Sequence, residues 1–328
     1  METWPPVSVI MPVRDEEPYL VHAVRGVLDQ SYPGAMELVL AVGPSRDRTE
    51  EIAAKLAAAD DRVQVVPNPD GRTPHGLNAA IRASSHDIVV RVDGHGVLSP
   101  GYIRRAVETL TETGAANVGG IMRAEGETDF ENAVARAMTS SLGIGSAAFH
   151  VGGEAGPADT VYLGTFRRAV LERLDGYDEH FIRAQDWELN YRIRAAGELI
   201  WFTPDLHVTY RPRPNLAALA RQFFRTGMWR REVIRRYRHT ANVRYLAPPI
   251  VTAALAVGTA AGLAALLGAP GWLALGWSAP VLYGLGVIVA GAAMSRGLPA
   301  RAKAWLPAVL ATMHLTWGAG FLTRRRPE

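Results

Sequence analysis

Ile88-Val89-Val90-Arg91-Val92-Asp93-Gly94-His95-Gly96 is the stretch on which the reading of the chain turns. A β-branched run that ends abruptly in an acid, a glycine and a histidine reads as a buried central strand with its loop at the carboxyl end. In an open parallel α/β sheet, ligands bind just beyond such ends. Asp93 and His95 stand two residues apart, both residue types ligate metals, and the glycines let a ligand approach the backbone. A tight turn carrying a solvated Asp is the plainer reading, because Asp-Gly is a common turn dipeptide. The rest of the chain has to decide between them.

Working outward, strand-like and helix-like segments alternate. Val7 to Val13 is a continuous apolar run, read as a fully buried strand, and Glu17 to Gln30 follows with Leu20, Ala23, Val24, Val27 and Leu28 on one helical face. Met36 to Val42 and Val63 to Val66 are further strands. Asp47 to Ala59, with acids in its first turn, and Thr73 to Ser84 are helices. Beyond the central strand, placed at Asp87 to Val92, come a helix over Pro100 to Thr111, a strand over Asn117 to Met122 and a helix over Phe130 to Ser141. Leu142 to Pro157 is glycine-rich and reads as a loop, either beside an active site or merely solvated. Val161 to Arg167 resumes order, Asp175-Gly176-Tyr177-Asp178-Glu179 is a turn, and Asp186 to Ala196 is a helix. Leu199 to Thr203 is a last strand, closed by Pro204. Alternating strands and helices predict βαβ units, hence an α/β fold with a Rossmann-like, mostly parallel sheet.

The charge is not spread evenly. Residues 1–210 carry 19 Lys and Arg against 30 Asp and Glu, whereas residues 211–244 carry ten Arg and one Glu. Residues 246–294 contain no Asp, Glu, Lys, Arg or His at all. A bilayer-spanning helix needs ~20 such residues, so two spans fit, at about 246–267 and 271–294, around the turn Ala269-Pro270-Gly271. A third apolar run, 304–323, is broken only by His314. This divides the chain into a domain over 1–210, a basic neck over 211–245 and a membrane region over 246–323. In the neck, Leu216, Leu219, Ala220, Phe223 and Phe224 recur at helical spacing among arginines. That pattern predicts an amphipathic helix lying on the cytoplasmic leaflet, with membrane lipids rather than nucleic acid as its partner. Met1 to Pro6 carries no signal-peptide pattern, which leaves the first domain in the cytoplasm. The neck and Arg296, Arg301 and Lys303 set both loops on the cytoplasmic side by the positive-inside rule. Arg324-Arg325-Arg326 opposes a full third crossing, so the third segment is a span or an interfacial helix. With no Cys, disulfides and thiolate chemistry are excluded.

Four pieces in this order resemble the family 2 glycosyltransferases of GT-A fold: Val7-Ser8-Val9-Ile10-Met11-Pro12-Val13-Arg14-Asp15-Glu16-Glu17; Gly76-Leu77-Asn78-Ala79-Ala80; the strand ending in Asp93-Gly94-His95; and Gln185-Asp186-Trp187-Glu188-Leu189-Asn190-Tyr191-Arg192. The likeness spans about residues 7–230, and the apolar end is similar to that of the bacterial exopolysaccharide, succinoglycan-type subgroup. The resemblance implies a nucleotide pocket involving Pro12, Arg14, Glu16 and Asn78. It implies a divalent cation, Mg²⁺ or Mn²⁺, held by Asp93 on the donor diphosphate, where it neutralises the charge that builds on the leaving phosphates. It implies Asp186 as general base toward the acceptor hydroxyl, with inversion at the anomeric centre, and Glu188 as a residue orienting the acceptor or the base. The same two acids also fit a plain helix N-terminal charge pair.

The family's membrane-proximal Gln-X-X-Arg-Trp motif is matched by Gln222-Phe223-Phe224-Arg225, but Thr226 replaces the Trp and the next one is Trp229. These residues would contact an acceptor or a phosphate. Two further departures stand out. Val42-Gly43 occupies the place where paired acids commonly read the base, leaving Asp47 as a substitute, and His95 stands where a second metal-binding Asp is usual. The implied activity is transfer of a sugar from a nucleotide-diphosphate donor to a lipid-linked or polysaccharide acceptor. Transfer to polyprenyl phosphate, and a catalytically inactive membrane scaffold, are the rival readings.

Overall fold

The computed structural model describes residues 4–323. The chain packs as two units, one running to Arg123 and resuming over Ala147–Tyr210, the other combining Ala124–Ser146 with the chain from Arg211 onward. The boundary is therefore not the single cut near residue 210 that the charge distribution suggests. A short excursion with no unusual charge joins the C-terminal unit.

In chain order the elements are β1 (Val7–Val13), α1 (Leu20–Leu28), β2 (Met36–Val42), α2 (Thr49–Ala59), β3 (Val63–Pro67), α3 (Thr73–Ala83), β4 (Ile88–Arg91), β5 (Val97–Leu98), α4 (Tyr102–Thr113) and β6 (Asn117–Ala124). There follow α5 (Asp129–Met138), α6 (Ala148–Val151), β7 (Gly156–Pro157), β8 (Tyr162–Arg167), α7 (Arg168–Arg173), α8 (Gln185–Ala195) and β9 (Ile200–Tyr210). The C-terminal helices are α9 (Leu216–Arg236), α10 (Val243–Leu266), α11 (Ser278–Met294), preceded by a 3-10 turn over Gly271–Trp277, and α12 (Ala300–Leu322).

Among the described residues nine strands form one mixed sheet in the order β3-β2-β1-β4-β8-β6-β9-β5, with β7 beside β9. Its first half is parallel: β1 pairs with both β2 and β4, and β2 with β3. From β8 onward the pairings are antiparallel. Alternate residues of β1 feed two cores. Val7, Val9, Met11 and Val13 face α1, α2 and α4, while Ile10 faces α3, α7 and α8, so the sheet is covered on both sides. That is why these strands read as unbroken apolar runs rather than alternating ones. β9 extends well past Thr203, where the sequence suggested a stop. Pro204 lies between the stretch paired to β7 and the stretch paired to β5, and a proline removes one donor without disturbing extended backbone. The glycine-rich segment is not one loop: it contains α6 and β7.

In the second unit, α5 opens with a capping box, Thr128 Oγ1 accepting from the Glu131 amide at 3.2 Å while Glu131 Oε2 accepts from the Thr128 amide at 3.1 Å. Val243–Leu266 and Gly271–Met294 are long and apolar enough to cross a membrane, and both leave most of their apolar side chains exposed, Leu266 at 73% for example. Among the described residues α12 does not join them, because its Trp, Pro, Thr and His side chains dilute its hydropathy. Instead it packs against α9. A Cβ at Gly227 would strike the Trp317 carbonyl, and one at Gly320 the Phe224 carbonyl, so the two helices approach backbone to backbone. The apolar stripe of the neck (Leu219, Phe223, Val233) is therefore buried against protein rather than lying open to lipid as the sequence suggested. Arg324, Arg325 and Arg326, which bear on topology, and residues 1–3 at the start of the chain lie outside the described residues.

Candidate active site

β1 leads through α1, β2 and α2 to β3 on one side, while β4 lies on the other side of β1. The carboxyl ends of β1 and β4 therefore border a topological switch point, where the flanking loops diverge and leave a crevice. An open cleft of about 280 Å³ occupies that place. It is lined by Pro12, Val13, Arg14 and Glu16 from the end of β1, by Asn68, Gly71 and Thr73 from the β3–α3 connection, by Arg91, Asp93, Gly94 and His95 from the end of β4, and by Gln185 from the start of α8. Gly94 is required for closeness: a Cβ there would come within 3.0 Å of Val13 and Glu16.

On the β1 side, the loop is latched to the β2–α2 loop by reciprocal bonds. The Asp15 amide donates to Ser45 Oγ at 3.1 Å and Asp15 Oδ1 accepts from the Arg46 amide at 2.7 Å. Glu16 and Glu17 donate their amides to Thr49 Oγ1 and Asp47 Oδ2, at 2.7 and 3.1 Å. Glu17 in turn accepts from the Arg48 amide at 2.9 Å and from Arg48 Nε at 2.8 Å, which holds its carboxyl below the usual range. Asp47 is occupied by this latch, accepting also from the Thr49 hydroxyl and amide, which depresses its own carboxyl. Asp47 thus braces the cleft and is not among its lining residues. Arg14 Nη1 reaches across the cleft to the Gly71 carbonyl at 3.3 Å.

On the β4 side, the central feature is Arg91. The sequence stretch names it only as part of a strand, yet its side chain is 2% exposed and lies between the two implied functional acids. Its Nε and Nη2 donate to Asp93 Oδ1 at 3.2 and 3.1 Å, and its Nη1 donates to Asp186 Oδ1. The guanidinium also stands over the Tyr177 ring, 5.7 Å from its centroid. Burial opposes the charge on Arg91, but Asp93 and Tyr177 together outweigh it, so the guanidinium is held more firmly protonated than usual. Asp186 reaches this position because Ala184, with φ +61°, turns the chain so that α8 begins with Gln185 and Asp186 in its first turn. A left-handed conformation is unusual for a residue with a Cβ and is the kind of local strain found at functional sites. The signal for Arg91 was present: a lone charge inside an otherwise apolar, fully buried run needs partners, and those partners are acids. Asn68, Thr73 and Gln185 were likewise not singled out. Asn68 lines the cleft and leaves its buried Oδ1 without a hydrogen bond.

Other residues implied by the motifs are placed elsewhere. Asn78 is a structural clamp, its Nδ2 donating to the Tyr177 carbonyl and its Oδ1 accepting from the Tyr177 amide, each at 2.8 Å. A Cβ at Gly176 would lie 2.5 Å from Asn78 Oδ1, and its φ of +63° also favours glycine. Glu188 is 0% exposed and bound bidentately by Arg192, whose Nε lies 2.8 and 2.9 Å from the two carboxylate oxygens. Of the two roles expected of it, this placement suits bracing the helix that carries the base Asp186 better than contact with an acceptor. In the second unit, Gln222 Oε1 accepts from Arg213 Nε at 3.0 Å, Arg225 is exposed on α9, and Trp229 is buried at 3% exposure. Trp229 is a packing residue, not an open contact surface.

Among the described residues, no group of three or more His, Asp or Glu could hold a metal ion by itself. The cleft nonetheless fits one. Asp93 offers a carboxylate whose Oδ2 makes no hydrogen bond among the described residues, and His95 Nδ1 lies 2.7 Å from Glu16 Oε1 at the same edge. Mg²⁺ and Mn²⁺ suit one or two protein ligands completed by substrate phosphates and water better than a full protein cage.

Comparison with known proteins bears on the family and the fold. The family model described as "Glycosyltransferase like family 2" matches residues 5–228. The chain is 31% identical to the succinoglycan biosynthesis protein ExoA of Rhizobium meliloti, over 95% of this chain and 93% of that one. It is 22% identical to a dolichyl N-acetyl-alpha-D-glucosaminyl phosphate 3-beta-D-2,3-diacetamido-2,3-dideoxy-beta-D-glucuronosyltransferase of Methanococcus voltae, over 70% of this chain and 74% of that one. Its fold matches that of a mannosyltransferase from Pyrobaculum calidifontis, solved with GDP-Man and Mn²⁺, at a TM-score of 0.65 and 20% identity, covering 99% of this chain and 91% of that one. The mixed sheet with its switch-point cleft is the GT-A architecture.

Proposed function

This chain belongs to family 2 of the glycosyltransferases, and from that premise we propose that it is a membrane-anchored, inverting transferase acting from a nucleotide-diphosphate sugar onto a lipid-linked or polysaccharide acceptor. One observation carries the reading: Asp93 and Asp186, 93 places apart in the chain, meet on the single buried guanidinium of Arg91 at the mouth of the switch-point cleft. The donor lies along Pro12, Arg14 and Glu16, with its diphosphate toward Asp93 and His95. A divalent cation held there supplies charge neutralisation for the departing diphosphate. Asp186 accepts the proton of the acceptor hydroxyl on a carboxylate oxygen as the hydroxyl oxygen bonds to the anomeric carbon. The bond from the anomeric carbon to the phosphate oxygen breaks on the opposite side, so the configuration inverts. Asp47 and Asn78 serve the site by bracing its loops.

Val243–Leu266 and Gly271–Met294 are the anchor, and the arginines of α9 together with Arg296, Arg301 and Lys303 put the transferase unit on the cytoplasmic side. Arg225, exposed on α9, is the residue of the neck suited to an acceptor phosphate. The likeness to a succinoglycan biosynthesis protein supports an exopolysaccharide product, and the dolichyl-linked substrate in the name of the archaeal relative supports a lipid-linked acceptor. The bound GDP-Man and Mn²⁺ of the structural neighbour support the donor class and the metal.

The test is calorimetric titration of the detergent-purified full chain with UDP, GDP, dTDP and CMP, in Mn²⁺ and in EDTA. Tight binding of one nucleoside diphosphate that vanishes in EDTA is the expected result and identifies the base that Val42-Gly43 leaves open. No binding of any of the four in Mn²⁺ would overturn the reading in favour of a scaffold.

A further inference from the structure

We propose that Arg91 is a positioning residue that ties occupation of the donor side of the cleft to the setting of the base on the acceptor side. The inference rests on the functional reading above and deepens it. Arg91 divides its donors between two carboxylates that belong to opposite halves of the reaction: Nε and Nη2 to Asp93, Nη1 to Asp186. The side chain is almost wholly buried, so it has little water to turn to and takes its charge compensation from these two acids, with Tyr177 beside it. With no other cation bound, Arg91 is the counter-ion of Asp93 and competes with any metal for the same carboxylate. Like charges brought to one carboxylate in a poorly solvated floor repel strongly. Arg91 therefore loosens from Asp93 when a divalent ion and its diphosphate arrive, and gives its fork to Asp186 instead. A guanidinium that faces one carboxylate binds it bidentately, which fixes the plane of that carboxylate and directs its remaining lone pairs. The Tyr177 ring beneath the guanidinium gives it a surface along which to make that small turn. In this arrangement the base is set only when the donor is loaded, so an acceptor hydroxyl meets an oriented carboxylate only where an activated sugar is present.

Coupling of this kind is reciprocal. Removing Arg91 takes away a competitor, so Arg91→Gln binds Mn²⁺ more tightly, by about fivefold, while transfer falls by about a hundredfold. Removing the other partner has the opposite effect. In Asp186→Asn, Arg91 falls back on Asp93, and Mn²⁺ binds about fivefold more weakly although Asp186 is no metal ligand. Arg91→Lys keeps the charge and loses the fork. Its Mn²⁺ affinity stays within about twofold of wild type, and its loss is in kcat rather than in the donor KM.

The experiment is a titration of free Mn²⁺ by electron paramagnetic resonance on the full-length protein in detergent, with and without the nucleoside diphosphate that wild type binds. It is accompanied by steady-state kinetics and by a melting curve for each variant. Opposite shifts in Mn²⁺ affinity for Arg91→Gln and Asp186→Asn establish the coupling. A merely structural arginine would weaken binding in both, and shifts of the same sign, or no shift in Asp186→Asn, overturn the inference while leaving the functional reading intact. Should Arg91→Gln fail to fold, Asp186→Asn and Arg91→Lys decide by the same criteria. Absence of Mn²⁺ binding by the wild type overturns both readings together.

Discussion

Glu188 shows how the same acid can mean two different things, and a single substitution separates them. The motif around it suggests a side chain that orients the acceptor or the base. The structure instead buries it completely beneath Arg192, which donates Nε and Nη2 to its carboxylate and also reaches the carbonyls of Leu174 and Gly176. The pair thus fastens α8, and with it Asp186, to the turn before Tyr177. Breaking a buried pair by removing one partner costs roughly 3–5 kcal/mol. The lower end applies here, because Arg192 keeps two carbonyl partners and its side chain is 22% exposed. Glu188→Ala should therefore lose about 3 kcal/mol, equivalent to roughly 6–12 °C of melting temperature for a unit of this size. Glu188→Gln, which retains one acceptor for Arg192, should lose about half of that. Thermal unfolding by circular dichroism measures the loss, and kinetics below the transition report the acceptor KM, which should change little. An unchanged melting temperature with an acceptor KM raised about tenfold would refute the argument and return Glu188 to the acceptor site.

Two further outcomes follow from contacts away from the cleft. Burial pushes the Glu37 carboxyl up, but bonds from Ser8 Oγ and from the amide and hydroxyl of Ser85 prevail and hold it below its usual 4.5. A depressed carboxyl stabilises the fold fully above that value and loses its contribution as pH falls through the folded-state value. Urea unfolding should accordingly show stability declining below about pH 5 in wild type and declining less steeply in Glu37→Gln; identical slopes would dismiss the effect. On the C-terminal side, Gly320→Leu must push the Phe224 carbonyl away and should cost about 2–3 kcal/mol, read as protease sensitivity of α12, with nucleotide binding by the first unit retained. Unchanged protection of α12 would show that the close approach of α9 and α12 is not needed.

The inner strands of the parallel half, β1, β2 and β4, were legible because they are buried on both faces and so show as nearly continuous apolar runs, whereas β3 at the edge is largely exposed. The antiparallel half was not, because the partners of β8 and β9 are set by long-range pairing that no local period records. The apolar C-terminal helices were legible from the absence of charge alone. The fate of the neck was not: Leu219 and Phe223 make an amphipathic stripe whether lipid or α12 covers it, and only glycines placed opposite backbone, at 227 and 320, tell the two apart. In the cleft, Asp93 and Asp186 announce themselves through motifs, whereas Arg91 is recognised only once both acids are seen to need the same cation. Glu188 and Asn78, which the same motifs mark, are engaged inside the protein by Arg192 and Tyr177. A motif records that a residue is required, and a clamp holding a turn is as much required as a ligand.

The latch between residues 14–17 and 44–49 has a consequence for how donor preference could change. Its bonds run both ways: Asp15 and Glu17 receive from Arg46 and Arg48, and give their own amides to Ser45 and Asp47. Neither loop keeps its shape without the other's sequence. Grafting one of them from a relative with a different nucleotide would strand polar groups on both, whereas moving the two as a cassette would carry the shape along with the preference. On the proposed reading, in which the donor lies along this cleft, a change of donor preference would require the two loops to change together.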